Sequence, residues 1–278
     1  MTATIGVTAA LVSALSMAVA HALLAGGRDK LVIRGLIGAS CMVAVAPLTF
    51  LVPPPSGWLW GWLLASGLLH AVYQLTLIKA YEGEDFSVAF PIARGVVPLA
   101  TAILGVAVLG DRLAIGAFFG VAIVSLGLLY IASERRPAYV GLVAATTAGL
   151  LTTAYTLLDA YAVRISPELW TFVVWFFVFD GIIMSTITAV RRRNNLLGAV
   201  YRELKPGLLA GLASLVTYST ALIALRLIPA GSASAIRETS IVFGALIAGV
   251  FLKERVEGRR AIGITLVAVG GVAVAYWR

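Results

Sequence analysis

The sequence predicts an all-α integral membrane protein: ten transmembrane helices, arranged as two inverted five-helix repeats around a central cavity. Three observations predict it. Of the 278 residues, 60% are hydrophobic and only 12% charged, where a soluble domain carries about 25% charged residues. With a mean hydropathy of +0.99, the chain has too little charge to cover a water-facing surface. Apolar runs recur along it, each long enough to cross a hydrocarbon layer of roughly 30 Å as a helix of about 20 residues. Features of the first half also return in the second at a nearly constant offset.

In chain order the spans read 4–25, 34–52, 58–80, 86–109, 113–132, 139–162, 169–190, 207–227, 231–252 and 260–277. The first has no basic residue before it and no cleavage pattern, so it is expected to be a mature span rather than a signal peptide. Loop chemistry separates the runs: "GGRDK", "PPPSG" and "YEGED" follow the first three, and "GDRL" follows the fourth. "SERRP", "RISPE", "RRRNN", "LIPAGS" and "KERVEGRR" divide the rest. No segment between spans is long enough for a soluble domain; 191–206 could form only a short surface helix.

A shift of 143 residues places Arg94 on Arg237, Asp111 on Glu254 and Arg112 on Arg255. The same shift places Gly120 on Gly263 and Gly127 on Gly270. Upstream, "IGVTAALVSAL" lies against "VGLVAATTAGL" at a shift of 135. The halves fall at about 1–137 and 138–278. Five spans is an odd number, so the second half enters the membrane in the opposite sense, an architecture that sets a substrate site near the midplane between the halves.

Charge orients the chain. The loops after spans 1, 3, 5, 7 and 9 hold fourteen basic residues against four on the other face. By the positive-inside tendency the fourteen are cytoplasmic, which places both termini outside. The same distribution explains the net charge of +8: the basic residues sit in short loops, not in a soluble basic domain, so no nucleic-acid partner is expected. Cys41, the single cysteine, excludes a disulfide within one chain. No metal-ligand, nucleophile or phosphate-cradling motif occurs, so neither an enzyme nor an ATP-driven pump is expected, and no cofactor.

A few polar residues stand inside the apolar runs. Arg94, in "FPIARGVVPLAT", lies about eight residues into its span, roughly 12 Å deep, where an arginine costs about 2.5–3.5 kcal/mol on insertion scales. Arg237 occupies the equivalent depth in span 9, with Glu238 beside it. These arginines could lock helices through an internal ion pair, or line an aqueous cavity and meet a carboxylate or phosphate. Pro91 and Pro98 each remove a helix hydrogen bond, so the span should kink around Arg94, and irregular backbone at this depth is tolerated where it lines a cavity. On span 3, His70, Tyr73, Gln74 and Tyr81 fall within about 100° of one another, while Lys79 points away. Ser214, Thr217 and Tyr218 repeat the pattern on span 8, Tyr155 and Asp159 stand four apart on span 6, and His21 lies late in span 1. Such stripes are also common as helix–helix contacts. Asp180, in a span whose aromatic residues read as lipid-facing or packed, could be an arginine's partner, a neutral acid or a proton-coupling site.

Each half has an apolar span ending in an acid–Arg loop ("LGDRL", "LKERV") and then a glycine-bearing span ("FFGVAIVSLG", "AIGITLVAVGG"). With "YQLTLIKAYEGEDFSVAFPIARGVVPL", these residues resemble the EamA repeats of the drug/metabolite transporter superfamily over essentially the whole chain. The chain looks most similar to the aromatic amino acid exporter group. The resemblance implies a ten-helix secondary transporter, a monomer in a bacterial inner membrane, exporting amino acids or related small metabolites by alternating access. It also implies that spans 1, 3, 4, 6, 8 and 9 line the cavity. Expected substrate-binding residues are His70, Tyr73, Gln74, Tyr81, Arg94, Tyr155, Asp159, Tyr218, Arg237 and Glu238. Efflux of cationic drugs, which would use a lone acid such as Asp159, and a membrane scaffold without transport are the alternatives.

Overall fold

The computed structural model describes residues 1–83, 86–133, 138–251 and 258–277, without the side chains of 25, 81–83, 86–89 and 248–251. Tyr81's side chain and the Glu254–Arg255 pair therefore lie outside the described residues. Among the described residues the secondary structure is helical throughout, and the protein is a multi-pass membrane protein. Its helices are α1 (Thr2–Gly26), α2 (Lys30–Val45), α3 (Leu59–Gly83), α4 (Phe86–Gly95), α5 (Val97–Leu109), α6 (Ile115–Ala132), α7 (Tyr139–Ile165), α8 (Leu169–Arg191), α9 (Leu196–Leu227), α10 (Ala230–Arg237), α11 (Ser240–Phe251) and α12 (Gly258–Tyr276). A 3-10 turn, Ala46–Phe50, extends α2. Ten apolar passes result, because α4 continues into α5 and α10 into α11.

The fourth pass breaks where its prolines demand. α4 ends at Gly95 and α5 starts at Val97, with Pro98 in its first turn. Pro98 has no N–H to offer the carbonyl of Arg94, and the Leu99 N–H turns to Ser125 Oγ at 3.2 Å instead. The ninth pass breaks at the corresponding depth without a proline. Glu238 closes α10, its N–H shared between the carbonyls of Ser234 and Ala235, and Thr239 Oγ1 donates to the Ile236 carbonyl at 2.6 Å. A hydroxyl thus occupies a carbonyl next to the break.

Two sequence expectations are corrected here. The stretch 191–206 is not a separate surface helix: α9 runs from Leu196 to Leu227 through Pro206. The carbonyl that loses its donor belongs to exposed Arg202, where water can satisfy it. Span 2 also begins earlier than residue 34, because Asp29 caps α2 by accepting the Val32 N–H at 3.2 Å, so Arg34 is one turn inside the helix. Asp29 also takes two bonds from Arg192 (2.7 and 3.3 Å). Burial would raise its pKa, but the bonds from Arg192 and from backbone N–H groups outweigh that and hold it below the usual carboxylate range. The link's contribution is therefore present above the ordinary carboxylate pKa and lost as pH falls through the lowered value.

The most extensive helix pairings are α1 with α9, α6 with α12, α3 with α7, and α2 with both α8 and α9. The α6–α12 seam rests on glycines. A Cβ on Gly120 would stand 3.0 Å from the Gly270 carbonyl oxygen, and one on Gly270 would stand 2.7 Å from that of Gly120. Gly127 and Gly263 are related in the same way, at 2.8 and 2.7 Å. These are the four glycines that the 143-residue shift superimposes, and they let the two backbones touch.

Candidate functional site

At mid-depth the helices enclose a cavity of about 140 Å³. Its wall draws on α1, α2, α3, α4, α7, α8, α9 and α10. It extends toward the face carrying the loops after spans 1 and 3, reached by Leu24, Lys30, Leu77 and Ile78. The opposite face is tied shut. There Arg164, at the end of α7, donates to Asp111 Oδ1 (2.6 Å) and to the carbonyls of Leu225 (2.9 Å) and Ile228 (3.1 Å). Asp111 Oδ2 accepts the Ala230 N–H at 2.7 Å, so the ends of α5, α7, α9 and α10 are joined by one carboxylate and one guanidinium.

One side of the cavity is aromatic. The His70 ring lies 3.8 Å from that of Tyr155, 4.8 Å from Phe176 and 5.3 Å from Tyr218, centroid to centroid. Tyr73 lies 5.2 Å from Tyr155, and Phe176 lies 4.1 Å from Tyr218. Rings from α3, α7, α8 and α9 therefore converge, a surface suited to an apolar or aromatic body. His70 Nδ1 sits 2.9 Å from the Ser66 carbonyl, which can only accept, so Nδ1 carries the hydrogen. Behind these rings Asp159 is fully buried. Ser66 Oγ donates to one of its oxygens at 2.5 Å, Tyr218 OH to the other at 2.7 Å, and His70 Nε2 stands 3.8 Å away.

The charged side chains form separate groups. Arg94, 3% exposed, makes a two-pronged pair with Glu238: Nε to Oε2 at 3.0 Å and Nη2 to Oε1 at 2.6 Å. On another wall Arg34 bonds Gln74 Oε1 through Nε and reaches Asp180 Oδ2 at 3.3 Å, while Gln74 Nε2 donates to Asp180 Oδ1 at 3.1 Å. Of the roles open to Asp180, arginine partner is the one the structure supplies. Among the described residues Arg237 hydrogen-bonds Ser13 Oγ, at 3.1 Å, and the Met17 sulfur, at 4.0 Å. No described carboxylate lies within ion-pair distance of it.

His70, Tyr73, Gln74, Arg94, Tyr155, Tyr218 and Arg237 thus share one cavity. Asp159 and Glu238 stand behind its wall. Arg94 faces the cavity, but Glu238 already fills its donor fork, so the internal ion pair and the cavity position hold together. Sequence reasoning missed Arg34 and Lys30, which were read as loop charges; moving them leaves the sign of the loop bias unchanged. It also missed Phe176 and Phe177, read as lipid-facing or packed. A helical wheel of span 7 centred on Asp180 would have found Phe176 and Phe177, which lie four and three residues before it.

A profile of the EamA-like transporter family matches residues 138–276. The chain belongs to the EamA-like transporter family. That family is one of membrane transporters of small molecules. The fold agrees: a solved crystal structure superposes with a TM-score of 0.70, covering 98% of this chain and 97% of the other at 18% identity. No curated protein matches the sequence. Relative to the lining that the resemblance implied, the EamA fold here adds α2 and α8, the second and seventh passes, to the cavity wall.

Proposed function

We propose that the protein is a secondary transporter of small metabolites bearing a carboxylate on an aromatic or apolar body, a class that includes neutral and aromatic amino acids. The observation that carries this reading is one cavity at mid-depth lined by an aromatic cluster and by a guanidinium, Arg237, that meets no carboxylate among the described residues. The two halves, 1–137 and 138–278, would move relative to each other in alternating access. The Asp111–Arg164 tie then holds one face closed while the cavity reaches the other. One chain forms the whole cavity, so a monomer suffices. The cation-efflux reading has less support, because Asp159 is covered by Ser66 and Tyr218 rather than presented to the cavity.

Counterflow of labelled phenylalanine into proteoliposomes is expected to be saturable. Tyr155→Ala should cut its rate at least ten-fold while leaving the yield of folded protein unchanged, because the ring packed on His70 is lost. Saturable flux of a quaternary ammonium dye with none of phenylalanine would favour cation efflux. No saturable flux of either would remove the transport reading.

We further place the chain in a bacterial inner membrane, with its basic loops cytoplasmic and both termini periplasmic; the cavity then faces the cytoplasm. A C-terminal alkaline phosphatase fusion is expected to be active and a fluorescent protein fusion dark. The reverse pattern would invert the orientation.

A further inference from the structure

Four cationic side chains line the cavity: Lys30, Arg34, Arg94 and Arg237. Two of them have acids. Glu238 occupies Arg94 and Asp180 occupies Arg34. Lys30 at the mouth and Arg237 at mid-depth have no carboxylate within ion-pair distance among the described residues. The acids are in the opposite condition. Asp180 is the one acid on the described wall, and its oxygens already accept from Gln74 and Arg34. Asp159 lies off the wall with hydroxyl donors on both oxygens. Among the described residues, an anion entering the cavity finds two cations without a carboxylate partner, whereas an ammonium finds the carboxylates Asp159 and Asp180 engaged and would lose its water without replacement.

Resting on the transport reading above, we infer that the cavity selects organic monoanions, a carboxylate on an aromatic or apolar body without an α-ammonium, over zwitterionic amino acids of the same shape. Arg237 holds the carboxylate by charge-assisted bonds from the N–H groups that Ser13 Oγ and the Met17 sulfur leave over. Lys30 draws the anion in from the mouth, as unpaired charge at a low-dielectric cleft does. The rings of Tyr73, Tyr155, Phe176 and Tyr218 receive the body.

The test is binding, not flux, because the protonated acid crosses bilayers unaided. Purified protein in detergent is titrated calorimetrically with 3-phenylpropanoate, phenylalanine and 2-phenylethylamine, three solutes that share a ring and a two-carbon tether. The propanoate is expected to bind at least ten-fold tighter than phenylalanine, and the amine weakest. Arg237→Gln should weaken the propanoate at least ten-fold and leave the amine unchanged. Lys30→Gln, at the half-buried mouth, should weaken the propanoate about three-fold and flatten its salt dependence, and it keeps the test open if Arg237→Gln fails to fold. Equal or tighter binding of phenylalanine or the amine overturns the anion preference and leaves the transport reading standing. No binding of any of the three by folded protein, together with no phenylalanine counterflow, overturns both.

Discussion

Glu238→Gln is expected to cost about 3–5 kcal/mol of stability, enough to empty much of the folded population in detergent. Glutamine preserves size and one acceptor but removes the charge. Arg94 is 3% exposed and Glu238 1%, so the guanidinium would be left in a nearly dry site without a counter-charge. The measurement is the melting temperature of the solubilised variant, with the yield of monodisperse protein beside it. The double variant Arg94→Met with Glu238→Leu is the control. It removes both charges at similar volume, and replacing a buried ion pair by apolar residues is often neutral or stabilising. A large loss for the single variant with recovery in the double identifies the pair as a coupled structural unit. A single variant melting within a degree of the parent would show that the pair contributes nothing to stability.

The second large effect is expected at the α6–α12 seam. Gly127→Leu would place a Cβ 2.8 Å from the Gly263 carbonyl oxygen, and Gly263→Leu would place one 2.7 Å from that of Gly127. The obstacle is backbone, which cannot step aside as a side chain end can, so the helices must separate along their length. Each substitution should therefore reach or exceed the upper end of the roughly 1–3 kcal/mol typical of overpacking. Because the two positions face each other reciprocally, both should lower the melting temperature by similar amounts. The double variant should fall well short of their sum, since a seam opened once is already open. Additive losses, or a benign Gly127→Leu, would contradict backbone contact at this crossing.

The ten passes were legible because each is an apolar run bounded by charges or by Gly and Pro, and hydrocarbon thickness fixes the run's length. The break after Arg94 was legible because Pro98 removes a specific N–H. The matching break at Glu238 was not, since a shared backbone N–H and a threonine hydroxyl leave no proline to read. Arg94 could be seen to need a partner, but Glu238 is 144 positions away; only the fold brings them together. Arg34 was hidden by a boundary error of one turn, which Asp29 as a helix cap would have corrected. The stripe on span 3 was visible from spacing, and the structure sets His70, Tyr73 and Gln74 on the cavity wall. The rings of span 7 look interchangeable within "TFVVWFFVF" itself; only their spacing from Asp180 marks Phe176 and Phe177 as the pair that reaches the cavity.

Every arginine–carboxylate pair among the described residues joins a residue before 137 to one after it: Asp29 with Arg192, Arg34 with Asp180, Arg94 with Glu238, and Asp111 with Arg164. On the ribosome the first five passes emerge alone, with Arg34 and Arg94 already in place and their acids not yet made. Synthesis runs at about 5–20 residues per second, so Arg94 waits roughly seven to thirty seconds for Glu238, 144 positions later. A nascent chain in that interval carries cations in the bilayer that only its own later residues neutralise. Truncated between the halves, the chain would keep Arg34 and Arg94 without the acids that pair them here.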